Sequence, residues 1–194
     1  MVPRLPAARR RRQLLDVALE VFASSGFHQT SMEEVAEAAG VTKPVLYQHF
    51  GSKRELYLEL LEDVGGQMMA AVAKAVASAR NPHQQVEAGF GAYFRFVEAH
   101  ESAFKLLFGG GARRDEEFAD AVRRVETSVA DEIAVLIEAD VDPDHRRLLA
   151  HGLVGLAEAT SRQWVANGRD VDTDVLVRRT AQLAWAGLRG VSRD

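Results

Sequence analysis

No cysteine occurs among the 194 residues, which excludes disulfides and thiolate metal sites and fits a reducing cytosol. No run of eighteen apolar residues is present either, and Arg9 to Arg12 lead into an amphipathic helix instead of the apolar stretch of a signal peptide. The expectation is a soluble, cytoplasmic protein with no membrane partner. The six histidines form no i, i+4 pair and no His-Glu-x-x-His pattern, which argues against a metal site. The glycine run 109–111 lacks the following lysine of a phosphate loop and reads as a flexible loop, and no Ser/His/Asp grouping can be argued from spacing. No catalytic residue and no cofactor is therefore expected. No stretch alternates convincingly as a strand, and no segment repeats. Positive net charge is also missing: the chain carries −4. That total hides an asymmetry, because residues 1–54 hold eight Lys or Arg against five Asp or Glu, which gives +3 there and leaves −7 for the rest. The local excess of cations is the footprint that a phosphate backbone requires.

The basic third contains the most informative stretch, Thr30 to Leu56. Ser31 and Glu34 have the S-x-x-E spacing of a capping box, so a helix starts at Ser31. Met32, Val35, Ala36 and Ala39 follow as one apolar stripe on about two turns. Gly40 ends that helix, since a C′ position often needs the left-handed conformation, and Val41 falls in the turn, buried between helices. Thr42 reads as the N-cap of the next helix, with Pro44 in its first turn, where a missing amide hydrogen costs little. Leu46 and Phe50, four apart, point inward. Lys43, Pro44, Val45, Tyr47, Gln48 and His49 are then left on or near the outer surface, a set with a cation, an amide, an imidazole, a phenol and apolar groups but no carboxylate. A helix in the major groove needs this mix of donors, methyl contacts and absent negative charge.

Gly40 to Lys53, together with the upstream Gly26-Phe27, resembles the signature of the TetR family of bacterial transcriptional regulators, and the likeness covers roughly residues 9 to 60. The resemblance implies that Lys43, Pro44, Val45, Tyr47, Gln48 and His49 touch DNA, with Thr30 and Lys53 gripping phosphates from the starts of the flanking helices. Valine at 45 departs from the small hydroxyl residue common there, and Arg54 stands where an acid is frequent, which adds positive charge near the DNA backbone. Arg10 and Arg11, in the basic run ahead of the first helix, are candidates for phosphate or minor-groove contact.

Beyond the motif the pattern is helical throughout. Residues 1–8 read as a disordered arm, Arg9 to Ser24 as a helix stopped by Gly26, and Ser52 with Glu55 as a second capping box opening a helix past Gly65-Gly66 toward Ala79. Asn81-Pro82, Asp115, Asp142-Pro143 and Asp172 or Thr173 mark later helix starts, with a short helix over Glu101 to Phe108. The fold class is all-α with about nine helices, divided into a helix-turn-helix DNA-binding domain over 9–54 (motif about 31–50) and a C-terminal domain over 55–194.

Two features of the second domain point beyond folding. The last two long helices carry small residues on a face, Gly152, Gly155 and Ala159 in one, Ala184 and Gly187 beside Leu183 in the other. Such faces let backbones approach closely, either within one subunit or in a two-fold homodimer, and a helix-turn-helix that spans one turn of DNA favours the dimer. The aromatics Phe90, Tyr93, Phe94, Phe104, Phe108 and Phe118 read either as plain core or, by the resemblance, as the lining of a site for a small hydrophobic effector. Together these readings predict a dimeric, ligand-responsive regulator of double-stranded operator DNA, a repressor released by its effector. The competing readings are a DNA-binding regulator whose second domain serves only dimerisation or protein partners, and an all-α ligand-binding or enzymatic bundle.

Overall fold

The computed structural model describes residues 6–109 and 115–191, and among these it contains helices and no strand. The helices are α1 (Ala7–Gln29), α2 (Met32–Ala38), α3 (Lys43–Tyr47), α4 (Lys53–Ala77), α5 (Pro82–Ala99), α6 (Glu101–Phe108), α7 (Glu116–Leu136), α8 (Pro143–Ala166) and α9 (Thr173–Arg189). They fall into two compact units. One joins the described residues up to Val64 with 102–109 and 115–122, and the other joins 65–101 with 123–191. This division differs from the expected break at 54/55: α4 runs unbroken through it, and α6 with the start of α7 belongs to the first unit. The physical reason lies in α4, where Leu56, Leu60, Leu61 and Val64 are buried at helical spacing, so the helix-turn-helix needs another three turns of it to close its core. The expected arm over 1–8 lies partly outside the described residues, and α1 already begins at Ala7; most of the 109–111 loop is likewise outside them.

In the first unit the starts and stops follow local chemistry. Ser31 accepts the amide of Glu34 while the Glu34 carboxylate takes the Ser31 amide, a complete capping box. The hydrogen bond from the Ser31 backbone holds the Glu34 carboxyl below its ordinary pKa. Gly40 sits at φ 64°, with its amide on Glu37 and the amide of Val41 on Ala36, the paired bonds of a Schellman turn. At the start of α4, Ser52 accepts the Glu55 amide, but the Glu55 carboxylate reaches back to the amide of Gly51, not that of Ser52. Gly26, at φ 77°, breaks α1 as expected. One further turn nevertheless follows it to Gln29, because Thr30 closes that turn with its amide and its hydroxyl, both donated to the Gly26 carbonyl. Tyr57 meets Phe22 and Phe27 edge to face, Phe118 meets Phe27 in the same way and tilts against Tyr57, and burial pushes the Tyr57 phenol up to about 12.

In the second unit Asn81, Asp142 and Asp172 cap α5, α8 and α9, with Pro82 and Pro143 in the first turns, as their spacing predicts. Amide donation from His145 holds the Asp142 carboxyl below its ordinary value. Gly168, at φ 71°, ends α8 in a second Schellman turn, in which the Arg169 amide bonds Trp164 and the Gly168 amide bonds Val165. The core of this unit is formed by α5 with α8 and α9, through Phe90, Phe94, Val97, Trp164, Leu176, Val177 and Ala181.

Candidate nucleic-acid interface

The recognition segment is held by two anchors. Leu46 and Phe50 are fully buried, so α3 turns the opposite side outward. Lys43, Pro44, Tyr47 and Gln48 are exposed, Tyr47 at 43 %, while Val45 and His49 are half-buried. The helix itself ends at Tyr47, leaving Gln48 as its C-cap and His49 just beyond. Thr42 occupies the N-cap position with extended backbone and no side-chain cap bond; its carbonyl takes the amides of Val45 and Leu46 instead. Val41 is half-buried in the turn. No carboxylate stands on α3, and the acid beside it, Glu33 on α2, lies 3.6 Å from the Lys43 ammonium.

Several residues expected at phosphates are turned elsewhere. Thr30 is 2 % exposed and gives its hydroxyl to the Gly26 carbonyl at 2.9 Å. The Lys53 ammonium donates to the carbonyls of Phe27 and Thr30, both at 2.8 Å, and lies 4.5 Å above the Phe27 ring. Both residues close the end of α1, whose last carbonyls would otherwise lack partners. Arg54, expected to add free positive charge, is instead paired with Asp115 at 2.7 Å and Glu117 at 2.6 Å and lies over the Phe118 ring at 4.7 Å. Hydrogen bonding to Asp115, then to Glu117, raises the pKa of its guanidinium, and the same contact lowers that of the Asp115 carboxyl.

The basic run divides. Arg9 is exposed, and Arg10 donates to Gln13 one turn on. Arg11 instead pairs with Glu59 on α4 and donates to the His49 carbonyl. Arg12 pairs with Asp16 and with Asp63 on α4, and these bonds, that of Asp16 foremost, raise its pKa. Local spacing carries no sign of Glu59 or Asp63 as partners, since both bonds close loops of about fifty residues.

The six aromatics proposed for an effector do not share one unit. Phe90, Tyr93 and Phe94 are buried in the second, where Phe94 meets Trp164 edge to face and the Tyr93 hydroxyl bonds that of Ser161 at 2.9 Å. Burial drives the Tyr93 phenol well above its ordinary pKa. Phe104 and Phe108 pair with each other in the first unit. The ring of Phe118 is occupied by Phe27 at 4.7 Å and Tyr57 at 4.6 Å, which makes it part of the DNA-binding core and removes it from an effector lining. The small-residue face of α8 and α9 is open only in part: among the described residues a Cβ added at Gly152, Gly155 or Gly187 would meet nothing within 4 Å and Ala159 is exposed, whereas Ala184, expected on the same face, is buried inside the chain. Leu148 and Leu183 expose 69 % and 63 % of their surface alongside it. No group of three metal-ligating side chains occurs, and no helix is long and apolar enough to cross a membrane, among the described residues.

A short helix anchored by two apolar residues, reached through a left-handed glycine turn and lined with donors and without acids, is the reading element of a helix-turn-helix protein. Residues 14–60 match the model of bacterial regulatory proteins of the tetR family, and residues 82–187 match that of tetracyclin repressor-like C-terminal domains. The chain belongs to the TetR family of DNA-binding transcriptional regulators. It is 37 % identical over 190 residues to the HTH-type transcriptional activator FasR of Mycolicibacterium smegmatis, covering 97 % of this chain and 87 % of that protein. A TetR-like regulator of Rhodococcus sp. RHA1 has the same fold, with a TM-score of 0.79 and 32 % identity over 97 % of this chain and all of that one. FadR of Bacillus subtilis, solved in complex with stearoyl-CoA, shares the fold at a TM-score of 0.80 and 18 % identity, covering 91 % and 98 % of the two chains.

Proposed function

We propose that this chain is a dimeric, cytoplasmic, non-enzymatic regulator that reads double-stranded operator DNA with Lys43, Pro44, Val45, Tyr47, Gln48 and His49 and is released from it by a small apolar effector. The observation that carries the reading is the outward face of α3, acid-free and fixed by Leu46 and Phe50. Arg10 supplies phosphate contact from the start of α1. Thr30 and Lys53 act behind the reading helix, as struts of the turn that precedes α2.

The effector reading rests on Phe90, Tyr93 and Phe94, an apolar nest with one polar pair, Tyr93 and Ser161. The stearoyl-CoA complex of the structurally similar FadR supports an acyl compound as the class of effector. Ligand would favour a dimer geometry whose recognition helices no longer match successive major grooves, so operator affinity falls by the ratio of the ligand's affinities for the two states. The sign of regulation then follows from where the operator lies. Release from a site overlapping a promoter relieves repression, whereas release from an upstream site ends activation, the role named for the FasR relative.

Genome-wide selection of bound fragments, followed by footprinting, tests the DNA half. Titration of stearoyl-CoA into the protein and into its operator complex tests the other half. The expected result is a rise in melting temperature with ligand, as RT ln(1 + [L]/Kd) requires, and a matching loss of operator affinity. Reciprocity demands that operator weaken ligand binding by the same factor, about 5- to 150-fold for coupled sites of this kind. A ligand that stabilises the protein yet leaves DNA binding unchanged would show a pocket without regulation, and no stabilisation at all would leave the second unit as a dimerisation module.

A further inference from the structure

Arg11 lies in the basic run that points to phosphates, yet its whole fork is engaged inside the DNA-binding unit. Its Nε donates to Glu59 Oε1 at 2.9 Å, one terminal nitrogen donates to Glu59 Oε2, and the other donates to the backbone carbonyl of His49. The guanidinium plane also covers the Phe50 ring at 4.5 Å. Three pieces of chain distant in sequence therefore meet at one side chain: the second turn of α1, the residues that follow α3, and the second turn of α4. Only arginine can do this, because a planar fork can bind a carboxylate with two donors, keep a third for a carbonyl and still stack on a ring. The His49 carbonyl lies two residues past the last residue of α3, so this bond ties down the segment into which the helix runs. A helix of five residues has little stability of its own, so its attitude is set by what it is fastened to.

We propose that Arg11 is a positioning residue for the recognition helix, and that the Arg11–Glu59 pair is a determinant of operator specificity and not a phosphate contact. This rests on α3 being the reading element. Base-edge bonds tolerate little displacement, whereas binding through phosphates is insensitive to the exact attitude of α3. Loosening the clamp therefore costs operator affinity and spares sequence-independent binding. Arg10, bonded only one turn ahead of itself to Gln13 in the same helix, keeps the phosphate role.

The two readings of Arg11 predict opposite signs for one substitution. Glu59→Gln breaks the clamp, frees a cation and removes an acid near the duplex. A phosphate-binding Arg11 would then hold all DNA more tightly, while a positioning Arg11 would hold operator more weakly. The full-length protein, wild type and the variants Glu59→Gln, Arg11→Gln, Arg11→Lys and Tyr47→Ala, is titrated by fluorescence anisotropy against a duplex from the genomic selection and an unrelated duplex of equal length, between 50 and 200 mM salt. Glu59→Gln and Arg11→Gln are each expected to weaken operator binding by about tenfold, the effect of roughly one lost base contact, with the salt slope on the unrelated duplex unchanged. Arg11→Lys, which keeps the charge without the fork, should match wild type on the unrelated duplex and fall short on operator.

Tighter or unchanged operator binding by Glu59→Gln overturns the proposal. So does an Arg11→Gln variant that weakens both duplexes alike and lowers the salt slope by about one, the mark of a lost phosphate contact. Loss of the folded state by both glutamine variants, seen by circular dichroism, would also overturn it, because the clamp would then hold the fold and not the placement of α3. Tyr47→Ala separates this from the reading beneath it: if that variant binds operator normally, α3 is not the reading helix, whereas a defect in Tyr47→Ala with none in Glu59→Gln rejects the clamp alone.

Discussion

Lys53 and Thr30 show how a side chain of the right chemistry is drawn away from DNA by its own backbone. An ammonium beside two carbonyls and a phenyl face is satisfied three times over, and a hydroxyl in a 2 % exposed residue has only the Gly26 carbonyl to bond. Thr30→Val should accordingly cost about 1 kcal/mol of stability, the usual net contribution of one hydrogen bond, while leaving the salt dependence of DNA binding unchanged. Chemical denaturation beside a salt titration checks this, and a fall in salt slope would restore Thr30 to the phosphates. Tyr47→Ala should behave oppositely, keeping the melting temperature and losing operator affinity, since its ring is exposed on the acid-free side of α3. The pair formed by Arg54 with Asp115 makes a third residue-scale prediction, in pH. The Asp115 carboxyl is held below its ordinary value, first by its hydrogen bonds with Arg54, so more protons bind the unfolded chain than the folded one at acid pH. The contribution is therefore complete above the unfolded pKa of about 3.9 and disappears as pH falls through the folded value. Comparing wild type with Arg54→Met by calorimetry, the difference in melting temperature should be present at pH 6 and close below about pH 4. A difference independent of pH would show that the ion pair contributes nothing and that only the stacking of Arg54 on Phe118 matters.

Elements with local punctuation were legible in the sequence, and those defined by remote partners were not. The capping box at Ser31 and Glu34, the left-handed Gly40, and the Asn81, Asp142 and Asp172 caps all act within one turn, so spacing alone locates them. The inward direction of Leu46 and Phe50 was readable for the same reason, and with it the composition of the reading face. What spacing could not convey is a choice between two partners of equal chemistry. Arg10 and Arg11 are adjacent and alike, yet only the second meets Glu59, forty-eight positions on, because of where α4 passes α1. Phe118 was likewise indistinguishable from Phe90 or Phe94 until the fold placed it against Phe27 and Tyr57. The extra turn beyond Gly26 depends on Thr30 and Lys53 together, so no window of one helix contains its cause. The Gly40 turn gives the element-scale prediction. With φ at 64°, any Cβ there is strained even though the surrounding space is open. Gly40→Ala should cost about 1–2 kcal/mol through backbone strain, and it should weaken operator binding as well, since α2 and α3 meet at this residue. Equal stability of the variant, measured by denaturant midpoint, would mean that the turn relaxes to another conformation.

At the scale of the molecule, the open face of α8 and α9 is the feature a single chain leaves unexplained. Small residues usually mark a close helix contact, and in one reading that contact lies within the subunit. Ala184 is buried inside the chain, but among the described residues the space above Gly152, Gly155 and Gly187 is empty and two leucines stand exposed next to it, so packing among these residues does not account for the three glycines. A second copy related by two-fold symmetry would cover the face with an identical one and supply the second recognition helix that an operator with half-sites about 34–36 Å apart, one turn of DNA, requires. The openness makes the mutational test sharp. Gly155→Leu places its side chain where the isolated chain has room, so any destabilisation must come from the partner copy, where added volume in a packed contact commonly costs about 1–3 kcal/mol. Leu183→Glu adds a buried charge at the same face and should be the more severe of the two. Sedimentation equilibrium of the wild type at micromolar concentration should give a dimer, Leu183→Glu a monomer, and both variants should keep wild-type helix content by circular dichroism. Operator binding by the variants should then become steeply dependent on protein concentration, because each DNA-bound dimer must be assembled from two chains. A monomeric wild type, or a Leu183→Glu protein that remains dimeric, would move the interface away from α8 and α9 and leave the small-residue face without a function in assembly.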